Sequence, residues 1–508
     1  MSAALPLLIL ATSLVPAVIT FFLPQRAHGW RNGLNLGGAV LKLGLIAFML
    51  VEVAGGAEYE LRFAFAPGLH LVLRVDALAL LFITLSAALW LLTTIYAIAY
   101  FGEKAELSRF FGFFSLCVAA TTGIALSGTL ISFFIFYELL TLSTWPLVVH
   151  KQDDKSLAAG RSYLFYALPG SLALLIGIIW LESTTGPVAF AVSPDLGGLS
   201  DNSLRAIFAL MVGGLAVKAA MVPLHGWLPV AMAAPAPVSA LLHAVAVVKA
   251  GAFGIVRVVH DVFGIALVTG LGMGTALAAL AALTVIWGSL RALAQDEVKK
   301  RLAYSTVSQV SYIVLGTALA GPFAIIGGLA HLVHQGLMKI TLFFCAGVYQ
   351  ENADISRIDQ LDGVGRRMPW TSVCFSLGAL GMIGIPPMAG FVSKLYLGIG
   401  GVQAGAAWVV GVLAASSLLN AAYFLPLLYR IWFRPAPDTG PAPRENAPGI
   451  VAPAVVTAAA ALAVGLFAAS APRSSGQISA ASGRNGPSHS VIMAGNPFPR
   501  SASPSPAD

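Results

Sequence analysis

Fourteen stretches of about twenty mostly apolar residues follow one another along the chain, with only short loops between most of them. At about 1.5 Å of rise per residue, each is long enough as a helix to cross ~30 Å of hydrocarbon. They lie near residues 3–23, 33–54, 77–100, 110–127, 129–149, 161–183, 204–222, 237–260, 263–290, 301–320, 322–349, 369–399, 405–433 and 448–470. The chain is 58% hydrophobic and 10% charged. A soluble core has no use for that much apolar side chain, so the expected fold class is an all-α polytopic membrane protein of about 14 helices. The first stretch lacks the basic flank and small-residue cleavage site of a leader and reads as the first span.

Charge placement orients the spans. Loops that follow odd-numbered spans, with their flanking span ends, carry seventeen Lys and Arg, against Arg62, Arg74 and Arg205 after even-numbered ones. The positive-inside rule then puts the odd loops in the cytoplasm and both termini outside. A net charge of +7 spread this way points to a lipid bilayer as the partner and not to nucleic acid. Residues 55–74 alternate weakly around Pro67 and Gly68, the pattern of a small extracytoplasmic hairpin. The polar tail 472–508 is expected to be unstructured. Cys117, Cys345 and Cys374 sit in apolar runs without metal-like spacing. No soluble segment is large enough for a nucleotide or redox group, so no cofactor is expected.

Against this background the charges inside the spans stand out. Lys42, Lys218, Lys249, Arg257, Lys339 and Lys394 interrupt apolar stretches, with the carboxylate of Glu138 nearby in sequence. A charge at the bilayer centre costs roughly 2.5–3.5 kcal/mol on the insertion scale, so such residues need a partner or a task. Lysines with a glutamate within reach suggest proton handling. Two of them adjoin prolines. Lys218 precedes Pro223 and Pro229, whereas Lys394 follows Pro386 and Pro387. Prolines inside a span free helical carbonyls, which must then face protein or water. Two lysine-and-proline segments of opposite order suit inverted-topology repeats with broken helices. The expected division is 1–109 for the first three helices, 110–260 and 261–433 for two five-helix repeats, and 434–471 for the last helix.

These segments resemble the antiporter-like membrane subunits shared by respiratory complex I, membrane-bound hydrogenases and Mrp-type cation/proton antiporters. The resemblance covers roughly residues 70–433. It rests on Phe136 to Leu140, Lys218 to Pro229, Pro237 to His243, Asp296 to Gln309, His331 to Lys339 and Gly384 to Lys394. Chain length and the segment Val245 to Gly251 are most similar to the D-type member of the Mrp antiporters. The resemblance implies that Glu138 pairs with Lys218 and that Lys249 relays toward the centre. It further implies that His331, His334 and Lys339 carry the path on to Lys394, with His243 beside it. It also implies a proton-translocating subunit of a Na+/K+–proton antiporter in the cell membrane, working with other membrane subunits. The alternative is a proton-pumping subunit of an NADH–quinone oxidoreductase or hydrogenase, enzymes whose redox sites lie elsewhere. Outside this set, Arg257 reads as snorkelling from a helix end and Asp296–Arg301 as a solvated loop. His225 reads as structural. Lys42 receives no role beyond contact with a lipid headgroup or a partner subunit.

Overall fold

The computed structural model describes residues 4–470 apart from 68, 103–105, 191, 193, 320, 437–444 and 446–447. Lys104, Arg444 and the tail 472–508 therefore lie outside the described residues. The helices are α1 (Leu5–Phe22), α2 (His28–Ala54), α3 (Ala77–Phe101), α4 (Leu107–Leu126), α5 (Leu130–Val148), α6 (Asp154–Thr185) and α7 (Asp201–Lys218). They continue with α8 (Trp227–Val230), α9 (Ala236–Ala240), α10 (Val247–Arg257), α11 (Ile265–Gly270), α12 (Met273–Leu293), α13 (Val298–Ala318) and α14 (Pro322–Ala353). The last are α15 (Val364–Arg367), α16 (Pro369–Ile383), α17 (Ala389–Gln403), α18 (Trp408–Phe433) and α19 (Pro448–Ser470). A π-helical turn, Leu241–Val245, joins α9 to α10, and a second, Val258–Phe263, extends α10, giving one long span Ala236–Phe263.

Helix occupies every apolar stretch of the sequence. Among the described residues, 11 helices are long and apolar enough to cross a membrane. The other three stretches are α7, α13 and the pair α16–α17. They miss that standard because α7 carries three charges, α13 is too rich in Ser, Thr, Tyr and Gln, and the pair is interrupted by a break. The ninth span is displaced from the sequence expectation. Gly264 and Gly272, both at positive φ, set off α11 as a separate turn, so the span itself is Met273–Leu293.

Helix starts follow local chemistry. Asp76, Thr129, Asp153 and Ser200 each accept a backbone N–H of the following first turn. Small residues bring helices close, which lipid-embedded bundles need because apolar burial gives no net drive between helices. The added Cβ of a residue at 214 on α7 would lie 2.4 Å from the Gly170 carbonyl oxygen of α6. The hairpin forms as expected: β1 (Glu60–Ala66) pairs antiparallel with β2 (Leu69–Arg74), and Leu73 bridges to Ser127.

Arg257 and Arg301 depart from their sequence readings. Arg257 does not snorkel. It is 2% exposed, and its guanidinium grips Asp76 at 2.6 and 2.9 Å and Asp261 at 2.7 Å. Arg301 is not in a solvated loop. It is buried, donating to the carbonyls of Leu293 and Gln295 at the end of α12 and to that of Tyr423 on α18. In both cases partners from distant sequence remove the reason for the side chain to reach water.

Candidate functional site

The two helix breaks create the polar positions. In the second, Gly384 at φ +87° ends α16, and Pro386 and Pro387 follow. A helical N–H at 386 and 387 would have reached the carbonyls of Met382 and Ile383, and proline has none. The ammonium of Lys394 takes both instead, at 3.1 and 2.8 Å, and reaches Ser417 Oγ at 2.9 Å. In the first break, α7 stops at Lys218 and resumes at Trp227. The Trp227 indole N–H donates to the Val217 carbonyl at 2.8 Å, which also accepts from the Ala220 N–H at 3.1 Å. Lys218 turns to α5, donating to the Tyr137 carbonyl at 2.8 Å, and its Nζ sits 3.1 Å from the centre of the Tyr137 ring.

Glu138 lies beside this lysine. Its Oε1 is 3.9 Å from Lys218 Nζ, and it accepts from the hydroxyls of Ser171 on α6 and Thr141. The expected pairing is present in space, with Tyr137 as an additional partner. The Glu138 side chain is 22% exposed, so a neighbouring chain can touch it without a conformational change.

The rest of the row crosses the molecule. Lys249 on α10 is fully buried and donates at 2.6 Å to the Leu332 carbonyl on α14, next to His331. His331 Nδ1 is 2.8 Å from Ser393 Oγ, and its ring stacks on Tyr312 at 4.9 Å. Lys394 faces the same Tyr312 ring, 5.6 Å from its centre. His331 therefore adjoins the terminal lysine through Ser393 and Tyr312. His334 is buried one turn along α14, and its Nδ1 has no protein partner. Lys339 is placed differently from its sequence order. It points to α13, donating to the Leu302 carbonyl at 3.1 Å. His243 packs against Phe343 at 4.5 Å, and neither of its ring nitrogens has a protein partner. Lys339 and Lys299 lie within electrostatic range of its ring. Lys339 and His243 thus form a branch toward the Lys299 end of α13, away from the link between His331 and Lys394. His225 is half-buried with its ring edge-on to Tyr304.

Sequence reading missed several polar residues that line this row. Tyr137, Ser171, Tyr312, Ser393 and Ser417 supply the contacts above. Gln309 and Gln335 are both fully buried, and neither amide has a protein partner. Two buried glutamines in apolar helices were visible signals, since an unpaired amide in a dry core is costly. A crevice of about 610 Å³ between α17 and α18 ends on Gly384, Lys394 and Ser417, bringing the far end of the row to the surface.

Broken helices that carry buried basic groups through a bundle of membrane-length spans define an ion-handling class of membrane protein. The chain belongs to the family described as NADH:quinone oxidoreductase/Mrp antiporter, TM, which matches residues 127–420. It is 34% identical over 448 residues to NADH-quinone oxidoreductase subunit N of Desulforudis audaxviator, covering 87% of this chain and 89% of that one. It is 30% identical to a Na(+)/H(+) antiporter subunit of Alkalihalophilus pseudofirmus, over 75% of this chain and 49% of the relative. The chain thus spans nearly all of the first relative and about half of the second. Its fold superposes on a chain of the Mrp complex from Dietzia sp. DQ12-45-1b with a TM-score of 0.83. The sequences there are 25% identical, covering 92% of this chain and 94% of the other.

Proposed function

We propose that this chain is a proton-translocating subunit of a multisubunit complex in the cell membrane, and that the complex is a monovalent cation/proton antiporter of the Mrp type. The observation that carries the reading is the polar row that runs from half-buried Glu138 and buried Lys218, through buried Lys249 and His331, to Lys394. Each lysine donates to a backbone carbonyl: Tyr137, Leu332, Met382 or Ile383. A carbonyl accepts from a neutral amine as well as from an ammonium, more strongly from the latter, so each site can gain or lose a proton at Nζ without orphaning its carbonyl.

The charge state of one group then acts on the next. Unit charges 3.9 Å apart, the separation of Glu138 and Lys218, attract by about 4 kcal/mol at an effective dielectric of ~20. Deprotonating Lys218 removes that attraction and frees Glu138 to respond to a neighbouring subunit. In this reading, protonating it raises the cost of a charge on Lys249, the next lysine of the row. Lys339 and His243 are assigned to a side branch that loads the row from the Lys299 end, and His334 to the central segment. The odd loops are assigned to the cytoplasm and both termini to the outside, following the charge bias. Exposed Glu138 and the crevice at Lys394 suit contact with other membrane subunits at the two ends.

A second reading has one observation in its favour. The 34% identity to a quinone oxidoreductase subunit extends over 87% of this chain, which suits a pumping role in a redox complex. The test is co-expression with the neighbouring genes in inverted vesicles, with a pH-sensitive dye. Sodium- or potassium-driven dequenching that falls at least tenfold in Glu138→Ala and Lys218→Ala, with the protein still inserted, is the expected result. A proton gradient that forms only on adding NADH or another reductant selects the second reading. Near-normal activity in either variant sinks the mechanism.

A further inference from the structure

Helix α2 buries a second polar stripe that this row does not use. Arg31, Asn35 and Lys42 are each 1% exposed or less, so Lys42 touches neither lipid headgroup nor partner, contrary to its sequence reading. Asn35 Nδ2 lies 3.5 Å from Thr20 Oγ1 on α1, and its Oδ1 accepts from the Ser115 hydroxyl on α4. Two turns on, Lys42 Nζ donates to Ser13 Oγ at 3.0 Å and Thr122 Oγ1 at 2.5 Å. The step is seven residues on all three helices: Thr20 to Ser13, Asn35 to Lys42, Ser115 to Thr122. Two polar layers are therefore stacked about 10 Å apart. At the start of the stripe, near the N-terminus of α2, Arg31 donates to Ser108 Oγ at 3.4 Å and lies 2.7 Å from His28 Nδ1.

The layer around Lys42 accepts either charge state. Thr122 spends its hydroxyl hydrogen on the Val118 carbonyl and Ser13 spends its own on that of Leu10. Both oxygens are left to accept, and they use two N–H groups of Lys42. A neutral amine has two. The third hydrogen of an ammonium adds a charge that the Trp90 ring receives, its centre 5.1 Å from Nζ. Few charges face this position. Among the described residues α1 has no ionisable side chain, and α3 has only Tyr96 and Tyr100. On α4 there are Arg109 and Cys117, and on α2 His28, Arg31 and Glu52, which lie toward its ends. Beyond Lys42, α2 has no polar side chain from Leu43 to Val51, so along this helix the polar stripe runs only to the Arg31 end.

We propose that Lys42 is a second proton-binding site, separate from the row between Glu138 and Lys394 and reached from the Arg31 end of α2. The proposal does not rest on the transport reading, and Trp90 supplies a readout independent of it. The experiment records tryptophan emission of the purified complex from about pH 5 to 10, a range wide enough for a strongly perturbed lysine. The same titration in Trp90→Phe is subtracted. The expected result is a single titration of the Trp90 component that disappears in both Lys42→Met and Lys42→Arg, since arginine does not deprotonate in this range. Asn35→Leu is expected to slow the response to a pH jump without moving its midpoint. A Trp90 component that is flat in the unmodified protein overturns the proposal, whether or not the Lys42 variants fold. So does a titration that survives Lys42→Met.

Discussion

Met382 and Ile383 lose their helical donors to Pro386 and Pro387, and one lysine side chain satisfies both carbonyls. The same kind of accounting explains Arg257, which gathers Asp76 from the start of α3 and Asp261 from one turn further along its own span. Removing one partner of such a buried set strands the others, which is why these residues sit where insertion alone disfavours them. Outside the spans, His150 shows how burial governs a titration. It lies just beyond α5, with its ring against Phe101 and Phe110. Burial, helped by Arg109, pushes it down from 6.5 to about 4. Its folded value is the lower one, so the unfolded chain binds the extra proton. Its contribution to stability is complete above 6.5 and is lost as the pH falls toward 4. His150→Gln is therefore expected to flatten the fall in thermal stability between pH 6.5 and 4, measured as Tm on the purified protein. An unchanged acid slope would mean that another group controls it.

At the scale of elements, the breaks work because neighbouring helices press against them. A Cβ added at Gly251 on α10 would meet the Ala219 backbone nitrogen at 2.3 Å and the Lys218 carbonyl carbon at 2.8 Å. Backbone cannot yield as a flexible side-chain tip can, so α10 and the end of α7 would have to part. Overpacking of this kind costs about 1–3 kcal/mol. Gly251→Val is expected to lower Tm and, by displacing Lys218 from the Tyr137 carbonyl and Glu138, to reduce cation-driven proton movement more than protein yield. Equal losses of yield and activity would assign Gly251 to packing alone. Gly384 plays a comparable part in the other break, where its positive φ turns the chain and its bare Cα leaves room for the Lys394 side chain.

For the whole molecule, the loop charges predict a topology that labelling can check. A single cysteine replacing Lys155 is expected to react with an impermeant thiol reagent only from the cytoplasmic side. One replacing Val192 is expected to react only from the outside. Reversed labelling would invert the orientation and with it the direction of the proposed path. The spans, their short loops, the hairpin and the lysines beside the prolines were legible in the sequence, because hydropathy, turn chemistry and missing N–H groups act over a few residues. The partners of those lysines were not. Arg257 and Arg301 read as surface residues until Asp76 and Tyr423 came in from 181 and 122 residues away. Lys339 stood next in sequence order to the histidines, yet it meets α13 at Leu302, ten residues from the Tyr312 that His331 stacks on beside Ser393. The sequence alone determined that the chain must be a membrane helix bundle with charges it has to justify. Only the tertiary structure decided which carbonyl, carboxylate or hydroxyl answers each charge, because that depends on which helix faces meet and not on residue type.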